Sequence, residues 1–122
     1  MRFTRDESPN VNVIRSYSPG ELRINEEVFR TTVIVASTAT RAAPSITNAA
    51  ELDSAHAALL LELQPEVVLV GTGQRQVFPA PAFGAQFLKA GIGFEAMSTG
   101  AACRTFNVLV SEQRLVVALL IV

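Results

Sequence analysis

Leu115–Val122 reads LVVALLIV, eight apolar residues in succession, and that run narrows the architectures open to the chain. A bilayer-spanning helix needs about 20 apolar residues, so the run is too short to cross a membrane that way. A half-buried strand would alternate apolar and polar residues. An unbroken run of Val, Leu and Ile instead fits a strand covered on both faces. Thr32–Ala36 and Val67–Val70 read the same way. Strands of that kind need helices packed over them, and the intervening sequence supplies three. Leu52–Leu63 has Asp53 or Ser54 as an N-cap, and Leu52, Ala55, Leu59 and Leu63 form an apolar face. Gln64-Pro65 ends it, because the residue before proline is pushed out of the α region. Ala82–Ala90 follows Pro79 and Pro81, and Gly91 suits the left-handed residue that closes a helix. Ile92–Ala96 is a further strand, and Ser98–Ser111 the third helix.

Strand and helix alternate from Thr32 to Ala96, which calls for right-handed crossovers and a parallel core. Val33–Val35, Val67–Val70, Ile92–Phe94 and Val116–Ile121 are expected in one sheet. Leu59 and Leu109 are expected in the core. Upstream, Val11–Tyr17 alternates, Ser18-Pro19-Gly20 is a turn signal, and Glu21–Ile24 resumes the alternation. That is the pattern of an antiparallel hairpin. Val28-Phe29 reads as a short strand and Ser37–Asn48 as a surface connection. The expected fold class is α/β. It is a three-layer single domain with a mixed, mostly parallel central sheet flanked by helices, and an N-terminal β-hairpin. Residues 1–10 are expected to be a flexible N-terminus, and 11–122 the domain.

Charged residues make up only 17 % of the 122, with a net charge of -1. No basic patch of nucleic-acid type is present, so no nucleic-acid partner is expected. One Cys and one His cannot build a Cys/His zinc site, and neither metal nor cofactor is expected. A single Cys excludes an intrachain disulfide and suits a reducing compartment, here read as cytoplasmic. Arg2, Arg5, Asp6 and Glu7 leave no apolar stretch in residues 1–10 for a secretory signal, and the acidic pair argues against an organelle presequence. His56 reads as an exposed helix residue.

Reactive and polar residues gather around the third helix. The candidate ligand or partner cluster is Gly71, Thr72, Gly73, Glu95, Thr99, Cys103, Arg104 and Asn107. Gly71-Thr72-Gly73 follows a buried strand, where backbone N–H groups could approach an anion. It lacks the third glycine of a dinucleotide fingerprint and the lysine of a P-loop, and it equally fits a tight turn leaving the sheet. Cys103 lies in the first turns of a helix, where the dipole lowers a thiol pKa. It also fits a small buried hydrophobe beside Ala101 and Ala102. Glu95 interrupts an apolar strand, and Arg104 is its expected ion-pair partner. No catalytic residue is assigned.

Pro65–Gly73, Gly91–Met97, Ser98–Leu109 and Glu112-Gln113-Arg114 occur in an order and spacing that resemble one family of small domains of unknown function. That family includes mitochondrial respiratory complex I assembly factor three and the adipogenesis-associated domain protein. The resemblance implies a three-layer α/β fold around a mixed sheet and brings no agreed catalytic residue or cofactor. It also implies a role in assembling a membrane-bound respiratory complex through protein contacts. The expected function is therefore a non-enzymatic protein-interaction or complex-assembly module with a protein partner. The alternative is a small-molecule-binding protein or enzyme with a site at Gly71–Gly73, Glu95 and Cys103-Arg104.

Overall fold

The computed structural model describes residues 11–122. The flexible segment expected at 1–10 lies outside the described residues. Three antiparallel strands come first: β1 (Ile14–Ser18), β2 (Glu21–Ile24) and β3 (Glu27–Phe29). Gly20, at φ +89°, makes the tight turn between β1 and β2 that a side chain would oppose. The central sheet follows, built from β4 (Val33–Ala36), β5 (Thr40–Ala42), β6 (Val67–Gly71), β7 (Gly93–Met97) and β8 (Val116–Leu120). Its spatial order is β5-β4-β8-β6-β7. β8, β6 and β7 run parallel, and β4 is antiparallel to both β8 and β5. All four apolar segments expected in one sheet are in it.

Helices α1 (Ser54–Leu61), α2 (Pro81–Lys89) and α3 (Thr99–Ser111) cover the sheet. The connection from β6 to β7 runs toward one edge, and that from β7 to β8 runs back past β6. Right-handed crossovers therefore put α2 and α3 on opposite faces. The two cores show this. Val68, Val70, Val117 and Leu119 pack under Ala57 and Leu60 of α1 and Phe83 and Phe87 of α2. Leu69, Val116, Ala118 and Leu120 pack under Ala102, Cys103 and Phe106 of α3, joined by Ile14, Leu22 and Ile24. Adjacent residues of β8 thus serve different cores, which is why the run carries no polar residue.

Several details correct the sequence reading. Thr40–Ala42, expected in a surface connection, forms the edge strand β5; all three residues are exposed, so no apolar period marks them. The first helix begins at Ser54, after a 3-10 turn at Ala49–Glu51. Its inward residues are Ala57 and Leu60, whereas Ala55 is exposed and Leu63 lies beyond the helix end, 47 % exposed. The sequence SAHAALLL is apolar nearly all round, so periodicity does not select a face. Leu59 and Leu109 are half-buried at the rims, and the core places belong to Leu60 and Phe106. Asp53 caps α1 as expected, and His56 completes a capping box. Its Nδ1 accepts the Asp53 N–H at 3.1 Å while the Asp53 carboxylate accepts the His56 N–H at 3.2 Å. That ring is half-buried, not exposed.

Candidate functional site

The C-terminal ends of β6 and β7 feed helices on opposite faces, which opens the crevice where α/β sheets often bind ligands. Here hydrogen bonds within the chain occupy the strand ends, beside an open pocket of about 450 Å³ lined by Thr72, Gln74, Arg75 and Val77. The Thr72 N–H donates to Met97 O at 2.8 Å, the Gly73 N–H to Thr99 Oγ1 at 2.8 Å, and the Thr99 N–H to Gly73 O at 2.8 Å. Thr99, fully buried, donates its hydroxyl to Ile121 O at 2.6 Å. A Cβ on Gly71 would stand 2.9 Å from the Thr99 Cα, so only glycine permits this approach of β6 and α3. The Thr72 hydroxyl donates to Arg75 O and accepts the Val77 N–H, folding the loop that leaves β6. The amides that could have cradled an anion are spent on joining strand to helix.

Cys103, Arg104 and Asn107 lie elsewhere, on the flank of α3 that faces β1. Asn107 clamps the two together: its Nδ2 donates to Ile14 O and its Oδ1 accepts the Ile14 N–H, both at 2.9 Å. A shallow cleft of about 330 Å³ runs between Tyr17, Arg15, Gly100, Cys103 and Arg104. The pairing of β1 with β2 slips between Ile14 and Ser16, a bulge at Arg15. Burial pushes the Cys103 thiol up to about 11, against a smaller downward pull from Arg104. A thiol so placed is neutral near pH 7 and is no ready nucleophile. Burial likewise raises the Tyr17 phenol, with Cys103 adding to it. Among the described residues the buried Tyr17 hydroxyl has no hydrogen-bond partner. No sequence pattern marked Tyr17; only its position across from α3 gives it this place.

Glu95 occupies a third place, on the exposed edge of β7. The ion pair expected between Glu95 and Arg104 is not formed; among the described residues the ion pairs are Arg30–Glu21 and Arg114–Glu66. Helical geometry explains it. Thr105 turns toward β7, its hydroxyl 3.5 Å from the Met97 sulfur, and Arg104, about 100° around the helix, turns toward β1. The eight cluster residues thus divide among three places. Among the described residues no group of three or more His, Cys, Asp or Glu side chains could hold a metal ion.

Sequence reading missed the apolar surface beside β7. Phe78 is 77 % exposed and Leu88 67 % exposed. Together with Pro79, Gly84 and Phe94 they line an open groove of about 420 Å³ between α2 and β7. Its only sequence signal is Val77-Phe78-Pro79, apolar residues in a loop.

Residues 14–121 match a family described as a protein of unknown function, DUF498/DUF598. The chain belongs to the DUF498/DUF598 family. Its similarity to NADH dehydrogenase [ubiquinone] 1 alpha subcomplex assembly factor 3 of Danio rerio is 36 % identity over 110 residues, 89 % of this chain and 63 % of that one. It is 37 % identical over 70 residues to a 13 kDa major membrane protein of Francisella tularensis subsp. holarctica (strain LVS), covering 57 % of each. The DUF498/DUF598 chain therefore spans less than two-thirds of the length of these curated relatives. A Bordetella pertussis protein described as an Mth938-like domain superposes with a TM-score of 0.78 at 29 % identity, covering 99 % of this chain and 92 % of that one. The resemblance and the fold class read from the sequence both hold. Among the described residues no helix is long and apolar enough to cross a membrane.

Cys103 offers a direct test of the buried-thiol reading. A thiol raised to about 11 holds about three-hundredfold less thiolate at pH 7.5 than an unfolded thiol near 8.5, and is expected to react with a maleimide correspondingly slowly. The same shift makes folding pH-dependent. The unfolded thiol loses its proton first, so the folded state binds more protons and stability falls as pH rises from about 8.5 through about 11. Urea melts at pH 7 and pH 10 check this: wild type loses stability between them, and Cys103→Ala loses less. Labelling as fast as in urea would overturn the reading.

Proposed function

We propose that this chain is a non-enzymatic module that holds protein partners during assembly of a membrane-bound complex, working from the cytoplasm. Residues 11–122 act as one domain. The carrying observation is a division of labour between polar and apolar groups. Gly71, Gly73, Thr99 and Asn107, which sequence reading offers to a ligand, are engaged in joining β6, α3 and β1. Phe78 and Leu88, in contrast, are turned out to solvent beside an open sheet edge. Exposed apolar side chains grouped along a groove favour a protein surface. The similarity to a protein named as an assembly factor supports the same reading.

Affinity capture of the tagged chain from its own cells tests this. The expected result is co-recovery of subunits of a membrane complex in partly assembled form, with less finished complex in cells lacking the chain. Recovery of the chain alone, with normal complex levels in its absence, would contradict it.

A further inference from the structure

We propose that the open edge of β7 docks an extended segment of another protein, which adds a sixth strand to the sheet and carries a basic residue opposite Glu95 between two apolar ones. The proposal rests on the interaction-module reading and names the partner's chemistry. Among the described residues β7 is the outermost strand on its side. The Gly93 N–H donates to Glu66 O and Met97 O accepts the Thr72 N–H, so the backbone groups of residues 93, 95 and 97 turn inward to β6. By the two-residue period, those of Phe94 and Ala96 turn outward. Gln76 Nε2 covers Ala96 O at 2.9 Å. The Phe94 N–H, Phe94 C=O and Ala96 N–H then face outward, the template on which a strand is added.

The groove is placed to take alternate side chains of such a strand. From Pro81 to Leu88, α2 runs about 10 Å, the reach of about three extended residues. Those three face Phe94, Glu95 and Ala96. Side chains opposite Phe94 and Ala96 fall on the α2 face, where Phe94, Gly84, Phe78 and Leu88 are apolar. The side chain opposite Glu95 falls on the other face. Glu95 is the only charged residue of β7, is exposed, and makes no ion pair among the described residues. A Lys or Arg directly across from it forms a favourable cross-strand pair. The same charge disfavours a second copy of this chain. Antiparallel pairing of two β7 strands about their midpoint would set Glu95 against Glu95, and like charges directly opposite are destabilising.

Random heptapeptides displayed on phage, panned on the folded chain, provide the probe. Enriched peptides are expected to share an apolar–Lys/Arg–apolar core and, once synthesised, to shift the Phe94 and Ala96 amide resonances. Glu95→Lys is expected to weaken them about tenfold by replacing attraction with repulsion. Ala96→Pro, which removes an outward N–H and leaves the pairing with β6, is expected to weaken them more. If Ala96→Pro fails to fold, Glu95→Lys at its exposed position carries the test alone. No enrichment, shifts confined to other amides, or affinities unchanged by Glu95→Lys would overturn the proposal. So would self-association that Ala96→Pro abolishes. Partners captured from cells equally well by wild type and Glu95→Lys would remove the edge site and leave the interaction-module reading standing.

Discussion

Phe87→Ala is expected to cost about 3–5 kcal/mol of folding free energy, the range for truncating a buried aromatic. Phe87 is fully buried on the inner face of α2. Its ring meets Phe83 edge-on at 5.1 Å and stacks on Phe94 at 5.4 Å, and Phe83 and Phe94 meet at 5.6 Å. Such aromatic pairs add about 0.5–1.5 kcal/mol each beyond the area they bury. The neighbours cannot fill the space left by alanine. Gly84 already lies so close to Phe94 that a Cβ would stand 3.0 Å from the ring. Urea melts give the loss directly, and a value below about 1 kcal/mol would show that α2 does not depend on this cluster. Because Phe94 is also the floor of the groove, the cluster that holds α2 down is the one that shapes the surface beside β7.

Asn107→Ala is expected to cost about 2–4 kcal/mol. The substitution strands both backbone polar groups of Ile14, which is only 5 % exposed. A buried group left without a partner costs about 1–3 kcal/mol. The loss falls on the attachment of β1 to α3, so exchange of the Ile14 amide is expected to speed up more than that of Val117 at the sheet centre. A variant with wild-type stability and unchanged exchange would mean that Asn107 is free for another task.

Strands β4, β6 and β8 were legible because they are buried on both faces and carry no polar residue, as at Val67–Val70 and Val116–Leu120. Helix ends were legible where local chemistry marks them, as with Asp53 and Gly91. The face of α1 was not, because alanine and leucine surround it. The candidate site was legible only as a list of residue types. Gly71, Gly73 and Thr99 do come together, but sequence cannot show that they satisfy one another. Arg104 and Glu95 are close along the chain, yet the helix turns Arg104 toward β1, a partner some ninety residues upstream. Phe78 and Leu88 carry no motif; their importance comes from facing solvent beside an unpaired edge, which only the assembled sheet defines.

On the proposed reading, Gly71, Gly73, Thr99 and Asn107 serve the fold and the apolar groove holds the partner. The most direct measurement compares partner recovery by three tagged versions of the chain: wild type, Phe78→Ser with Leu88→Glu, and Cys103→Ala. Phe78 and Leu88 are exposed, so their replacement is expected to change stability by no more than about 0.5 kcal/mol each. The groove variant is expected to fold normally and lose its partner, while Cys103→Ala keeps it. Undiminished recovery by the folded groove variant, or loss of the partner on removing the Cys103 thiol from a folded chain, would contradict that reading.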